Sequence, residues 1–255
     1  LRSNKKYLQF LEKIICESVY TKKGDLMYNQ KFNWNMFTTD KSDMFIKNKN
    51  NQNYVELGHG YGRAYDKHVF SNRDKVKKVL EIGTRSGSIE LWMNYFPNAT
   101  IYGIDLVDPR VDHEKFIFEK VDQSNRNQLR SFFEKHGQNF DIIIDDGLHA
   151  AFEQQVSFDE CFLNLKKGGY FIIEDMHCQR EEEKNGPHYR PTVNTNMDTY
   201  EMIDQLIKEK NTSCDILLHK DEICKNISKI DIELARNCRW ITMSKPSEIF
   251  FINRK

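Results

Sequence analysis

The chain has 255 residues, with 38 basic and 38 acidic side chains and a formal net charge of zero. That length can bury a full hydrophobic core, and the charge balance gives no electrostatic footprint for nucleic acid or an anionic membrane. No window approaches the about 18 uncharged apolar residues of a membrane span, and no secretory signal is visible. Six cysteines (Cys16, Cys161, Cys178, Cys214, Cys224, Cys238) are scattered without a CxxC pair, several of them in apolar segments. Reduced buried thiols have that distribution, so a reducing, cytoplasmic compartment is expected.

Leu8, Leu11, Ile14, Ile15 and Val19 recur at helical spacing and predict an amphipathic N-terminal helix. The Asn-rich stretch Lys47–Asn53 has little to bury and reads as a loop. From about Val76 the pattern alternates. Lys78–Gly83 predicts a strand, Gly87–Tyr95 a helix, Thr100–Leu106 and Phe116–Val121 two strands, and Asn125–His136 a helix. A strand over FDIII from Phe140, a helix over His149–Leu165, the YFIIE strand from Tyr170 and a helix over Met197–Lys210 follow. The C-terminal strands lie within Ile227–Ile252, with Pro246 at a turn. Strict alternation argues for a doubly wound α/β sheet, mostly parallel, with right-handed crossovers. The expected organisation is an extension over residues 1–75, helical and contributing to the ligand mouth, and an α/β domain over 76–255.

The first strand–helix junction, VLEIGTRSG (Val79–Gly87), reads E-x-G-x-x-x-G rather than the G-x-G-x-x-G of most dinucleotide-binding proteins. Gly83 is expected to let the backbone approach a ligand without a β-carbon in the way. The next strand ends in Asp105, where a carboxylate would meet ribose hydroxyls. A nucleotide is the reading; a ligand-free glycine turn is the alternative. Two buried runs then end in acids and a histidine: FDIIIDDGLH with Asp145, Asp146 and His149, and GGYFIIEDMH with Glu174, Asp175 and His177. Ligands of open α/β sheets bind beyond the carboxyl ends of the strands. Four carboxylates meeting there would repel one another unless a cation neutralises them. Asp145 is the weaker ligand, since alternation points it away from Asp146. A turn with a helix cap would also explain Asp145–Gly147, and an ordinary helix start would explain His149.

These motifs resemble the class I S-adenosylmethionine-dependent methyltransferases, with their Rossmann-like seven-stranded sheet. KVDQSN (Lys120–Asn125), IDDGLH (Ile144–His149) and IEDMH (Ile173–His177), with TDK (Thr39–Lys41) and HGYGRAY (His59–Tyr65) upstream, resemble a narrower group. These are the metal-dependent sugar O-methyltransferases of macrolide tailoring and surface-polysaccharide biosynthesis. The likeness covers roughly Thr38–Arg180; Leu148 stands where a small Ser is common, and Asn125 where an acid is common.

The resemblance implies S-adenosylmethionine as cofactor and a divalent metal, Mg²⁺ or Mn²⁺, held by Asp146, Glu174 and Asp175, with His149 as general base. Oxygen ligands suit such hard cations. It implies cofactor contacts from Glu81, Gly83, Thr84, Asp105, Leu106, Asp122, Gln123, Asp145, Tyr61 and Tyr65, with Thr39, Asp40 and Lys41 lining the same mouth. Asp122 and Gln123 would lie near adenine or simply start a helix; Tyr61 and Tyr65 would meet the methionine end. His177 is a second-shell partner, a substrate contact or a bystander. The segment Cys178–Asn196, carrying His188, Tyr189 and Arg190, reads as a lid, a substrate segment or a solvated loop. The implied acceptor is a sugar hydroxyl on a nucleotide-activated hexose or heptose for a capsule or other surface glycan, and the implied assembly a homo-oligomer. The alternatives are a macrolide sugar, a small catechol-like diol, a non-catalytic nucleotide-binding module, or a dehydrogenase.

Overall fold

The computed structural model describes residues 44–47, 54–57, 61–180, 189–234 and 248–255. The expected N-terminal helix, Thr39–Lys41, His59, His188, Pro246, Cys16 and Cys238 lie outside them. In the extension, the described chain first forms a pair of antiparallel strands, β1 (Met44–Lys47) and β2 (Tyr54–Leu57). Helix α1 (Gly62–His68) and a 3-10 turn (Phe70–Lys75) lead into β3 (Lys78–Ile82). Then come α2 (Ser86–Tyr95), β4 (Thr100–Asp105), β5 (Phe116–Lys120) and α3 (Arg126–His136). The second half holds β6 (Phe140–Asp145), α4 (Ala151–Cys161), β7 (Leu165–Ile173), α5 (Thr199–Glu209), α6 (Lys220–Asn226), β8 (Ile227–Leu234) and β9 (Glu248–Arg254).

Seven strands form one sheet in the order β5-β4-β3-β6-β7-β9-β8. The first five run parallel; β9 runs antiparallel to both β7 and β8. The chain winds outward from β3 through β4 to β5, then returns to lay β6 against the other side of β3. The crevice between β3 and β6 is therefore the point where the winding reverses, the usual ligand position in such sheets.

The uninterrupted apolar runs are explained by two-sided burial. Ile142 and Ile144 pack with Tyr65, Trp92 and Phe251 on one face. Ile143 packs with Phe132, Phe158 and Phe171 on the other. Tyr61, Ala64, Tyr65 and Val69, which precede the expected domain boundary, share the first of these clusters with Val79 and Ile101.

One element boundary and one helix depart most from expectation. The helix over His149–Leu165 ends at Cys161; a 3-10 turn takes Phe162–Asn164, and Leu165 already pairs with Phe140 as the start of β7. Apolar residues on both sides of that junction hide it. Helix α6 buries only Ile223, so no periodic stripe announces it. Cys161, Cys178, Cys214 and Cys224 are free thiols, and burial pushes the Cys161 thiol well above its usual pKa. Among the described residues, no helix is long and apolar enough to cross a membrane.

Candidate active site

The turn after β3 and the turn after β6 are built as one piece. Gly83 has φ of +84°, and a β-carbon there would lie 2.1 Å from the Asp146 carbonyl oxygen. Asp146 N–H donates to Ile82 O, and Gly83 N–H to Ile104 O, both at 3.0 Å. Close approach of the acid-bearing turn by itself requires glycine at this position. Glu81 is fully buried and accepts from Ser88 Oγ at 2.6 Å and Trp92 Nε1 at 2.8 Å. Thr84 is buried as well and donates to Glu81 O at 2.9 Å. Both residues were expected to touch a cofactor; among the described residues their side chains brace the turn from inside.

Beyond β4, Asp105 is half-buried and accepts from Val107 N–H at 2.9 Å. Leu106 and Val107 beside it are 57% and 72% exposed, an apolar rim next to a carboxylate. Asp122 closes a local turn by accepting from Ser124 N–H at 2.8 Å and Ser124 Oγ at 2.7 Å. Gln123 reaches across to the β6 turn, where its Oε1 accepts from Leu148 N–H at 2.9 Å and its Nε2 donates to Asp145 at 3.3 Å. A β-carbon at Gly147 would lie 1.9 Å from that Oε1, so the glycine makes room for the clamp. Asp145 is fully buried, hydrogen-bonded by Ser157 Oγ, Gln123 and Gly147 N–H. Burial raises its carboxyl pKa, opposed by those hydrogen bonds. It anchors the turn from below and does not line the mouth.

At the adjacent ends of β6 and β7 the acids converge. His149 Nε2 lies 3.5 Å from Asp175 Oδ2 and 3.9 Å from Asp146 Oδ1. One atom from each of these three residues falls within 4.8 Å of the others, close enough to share one ion. His149 Nδ1 is buried and makes no hydrogen bond among the described residues. Both His149 and Asp175 adopt left-handed backbone, with φ of +61° and +56°. Two oxygen donors with an imidazole fit a hard divalent cation plus a base better than a thiolate metal.

Glu174, the third expected ligand, stands apart from that trio: it is buried and accepts from Tyr65 Oη. Tyr61 Oη donates to Asp175 Oδ1 at 2.6 Å. Both tyrosines are fully buried, so they hold the acids rather than line the mouth for a cofactor. Burial, then the Glu174 and Asp146 charges, push the Tyr65 phenol well above its usual pKa and keep it a donor.

His177 is 1% exposed, with Nδ1 3.9 Å from Asp175 Oδ1 and Nε2 3.6 Å from Cys178 Sγ. Arg190 N–H donates to Cys178 O at 2.7 Å, which brings Tyr189 and Arg190 back beside the 3-10 turn Met176–Gln179. Gln179 escaped the sequence reading. Its Nε2 donates to His149 O at 3.1 Å and to Gln154 Oε1 at 2.6 Å, while its Oε1 accepts from Thr199 N–H at 2.7 Å. A lone glutamine in a charged stretch carries no signal for such a bridge.

A family model described as a methyltransferase domain matches residues 73–232. L-olivosyl-oleandolide 3-O-methyltransferase of Streptomyces antibioticus is 32% identical over 138 residues, 51% of this chain and 36% of that protein. Mycinamicin VI 2''-O-methyltransferase of Micromonospora griseorubida is 34% identical over 127 residues, 46% and 32% of the two chains. The chain thus spans about a third of the length of these curated relatives. Among solved structures, the MycE methyltransferase from the mycinamycin biosynthetic pathway, in complex with Mg and SAH, superposes with a TM-score of 0.58 at 23% identity. That match covers 76% of this chain and 49% of MycE and shows the shared fold. With the family model spanning more than half of its length, this chain belongs to the methyltransferase domain family.

Proposed function

We propose that this chain is an O-methyltransferase dependent on S-adenosylmethionine and a divalent cation, acting on a sugar hydroxyl. The observation that carries the reading is the meeting of His149 Nε2 with the Asp146 and Asp175 carboxylates at the ends of β6 and β7. When bound, the cation lowers the pKa of a neighbouring acceptor hydroxyl, and S-adenosylmethionine supplies the methyl group. Asp146 and Asp175 hold the cation, with Glu174 next in the chain completing an acid set suited to Mg²⁺ or Mn²⁺. His149 takes the proton that the hydroxyl loses, then returns it to solvent. Asp105 orients ribose hydroxyls, and Leu106 and Val107 cover the base. The extension over residues 1–75 supports the site from behind, through the Tyr61 and Tyr65 hydroxyls that hold Asp175 and Glu174, and the domain from residue 76 carries the chemistry.

The acceptor we favour is a nucleotide-activated hexose or heptose of a surface polysaccharide. A sugar already attached to a macrolide is the second reading, favoured by the named reactions of the relatives. Transfer from methyl-labelled S-adenosylmethionine, with Mg²⁺ or with chelator, into panels of nucleotide sugars and macrolide glycosides tests both. Product in one panel, abolished by chelator, identifies the acceptor class. Equal transfer with chelator removes the cation from the reading, and no transfer in either panel removes the sugar.

A further inference from the structure

The phenols of Tyr61 and Tyr65 join the extension to the acids. They lie one turn apart, Tyr61 capping α1 and Tyr65 within it. Tyr61 Oη donates to Asp175 Oδ1 at 2.6 Å and accepts from the Asp175 backbone N–H at 3.2 Å. One hydroxyl therefore grips both the carboxylate and the backbone of a residue whose φ is +56°. A left-handed aspartate persists where its surroundings over-determine it, and this double contact does so. With Oδ1 held by Tyr61, Asp175 directs Oδ2 toward His149 Nε2, 3.5 Å away. Tyr65 holds the preceding acid in the same manner, donating to Glu174 Oε1. Its ring is fixed in turn, 4.9 Å from the Trp92 ring and 5.6 Å from the Phe251 ring.

We propose that Tyr61 and Tyr65 are positioning residues that preset the acids after β7, so that α1 governs how tightly the site holds a divalent cation. This rests on the cation reading above. A hydroxyl donor on each acid offsets the repulsion between neighbouring carboxylates and spends their ordering entropy before the ion arrives. Outer partners of metal ligands act in this way elsewhere, typically at about 10–100-fold in affinity each.

The test is calorimetric titration of Mn²⁺ into the whole chain, with and without S-adenosylhomocysteine, for the wild type and three variants. Tyr61→Phe and Tyr65→Phe each remove one hydroxyl from an acid. Tyr95→Phe is the control, because Tyr95 Oη donates to Asp66 at 3.1 Å within the same aromatic cluster, away from the acids. The Mn²⁺ Kd is expected to rise about 10–100-fold in Tyr61→Phe and Tyr65→Phe and to stay within about three-fold in Tyr95→Phe. S-adenosylhomocysteine affinity is expected to be unchanged throughout. Wild-type affinity in both acid-facing variants overturns the assignment and leaves the cation reading intact. Equal weakening in all three variants also overturns it, since the effect is then general loosening. A wild type that binds no Mn²⁺ overturns the cation reading and this assignment together. Either acid-facing variant decides the matter where the other fails to fold.

Discussion

His149 and Asp175 hold left-handed backbone at the two residues whose side chains face each other across the site. Such a conformation costs a non-glycine residue about 1–3 kcal/mol and is characteristic of positions where geometry matters more than stability. Replacing His149 with Ala is expected to lower turnover about 10²–10⁴-fold, the usual worth of a general base. Single-turnover rates on an accepted sugar check this, and an unimpaired variant assigns the proton to another group. Replacing Asp146 with Ala is expected to abolish cation-dependent turnover while S-adenosylhomocysteine affinity holds within about three-fold, because the proposed assignment gives the cation and the cofactor different side chains. Calorimetry with S-adenosylhomocysteine beside the activity assay separates the two. Turnover without added cation would remove Asp146 from the ligand set.

The strand ends were the most legible elements. Ile142–Ile144 and Phe171–Ile173 are apolar without interruption because both sheet faces are covered, and paired acids at the end of such runs stand out. The partners of those acids were not legible. Tyr61 and Tyr65 meet Asp175 and Glu174 across more than a hundred residues of chain, a contact that only the fold creates. Burial of Glu81, Thr84 and Asp145 was hidden for a related reason: a polar residue at a strand end reads alike whether it faces a ligand or a neighbouring helix. The β3 turn supplies its own test. Gly83→Ala adds about 1–2 kcal/mol of left-handed strain and about 1–3 kcal/mol of overpacking against the Asp146 carbonyl. A stability loss of roughly 3 kcal/mol is expected in denaturant unfolding. A variant as stable as the wild type would mean that the two turns part readily.

Across the whole molecule, buried acids pull the pH dependence of stability in opposite directions. Burial tends to raise Glu160, but hydrogen bonds from Arg130 and Arg126 outweigh it and hold its pKa below the usual carboxylate value. Its contribution is present above the pKa of the unfolded chain and is lost as pH falls through the lower folded value. Asp145 has the reverse sign, since burial raises its folded pKa. Its favourable contribution is complete below about pH 4, the ordinary aspartate value, and is lost as pH rises through the folded pKa. Asp145→Asn removes that titration, so its melting temperature relative to wild type is expected to climb as pH rises from about 4 through the raised folded pKa, and to level off above it. A difference that stays flat with pH would place the ionisation cost elsewhere. The contact between Gly83 and the Asp146 carbonyl reaches beyond stability. Two loops far apart in the chain share one wall, one after β3 and one after β6 carrying the acids. Descendants of this sequence therefore inherit the two as a unit: a lineage that reshapes one loop to accept a different cofactor must, in the same evolutionary step, rebuild the other.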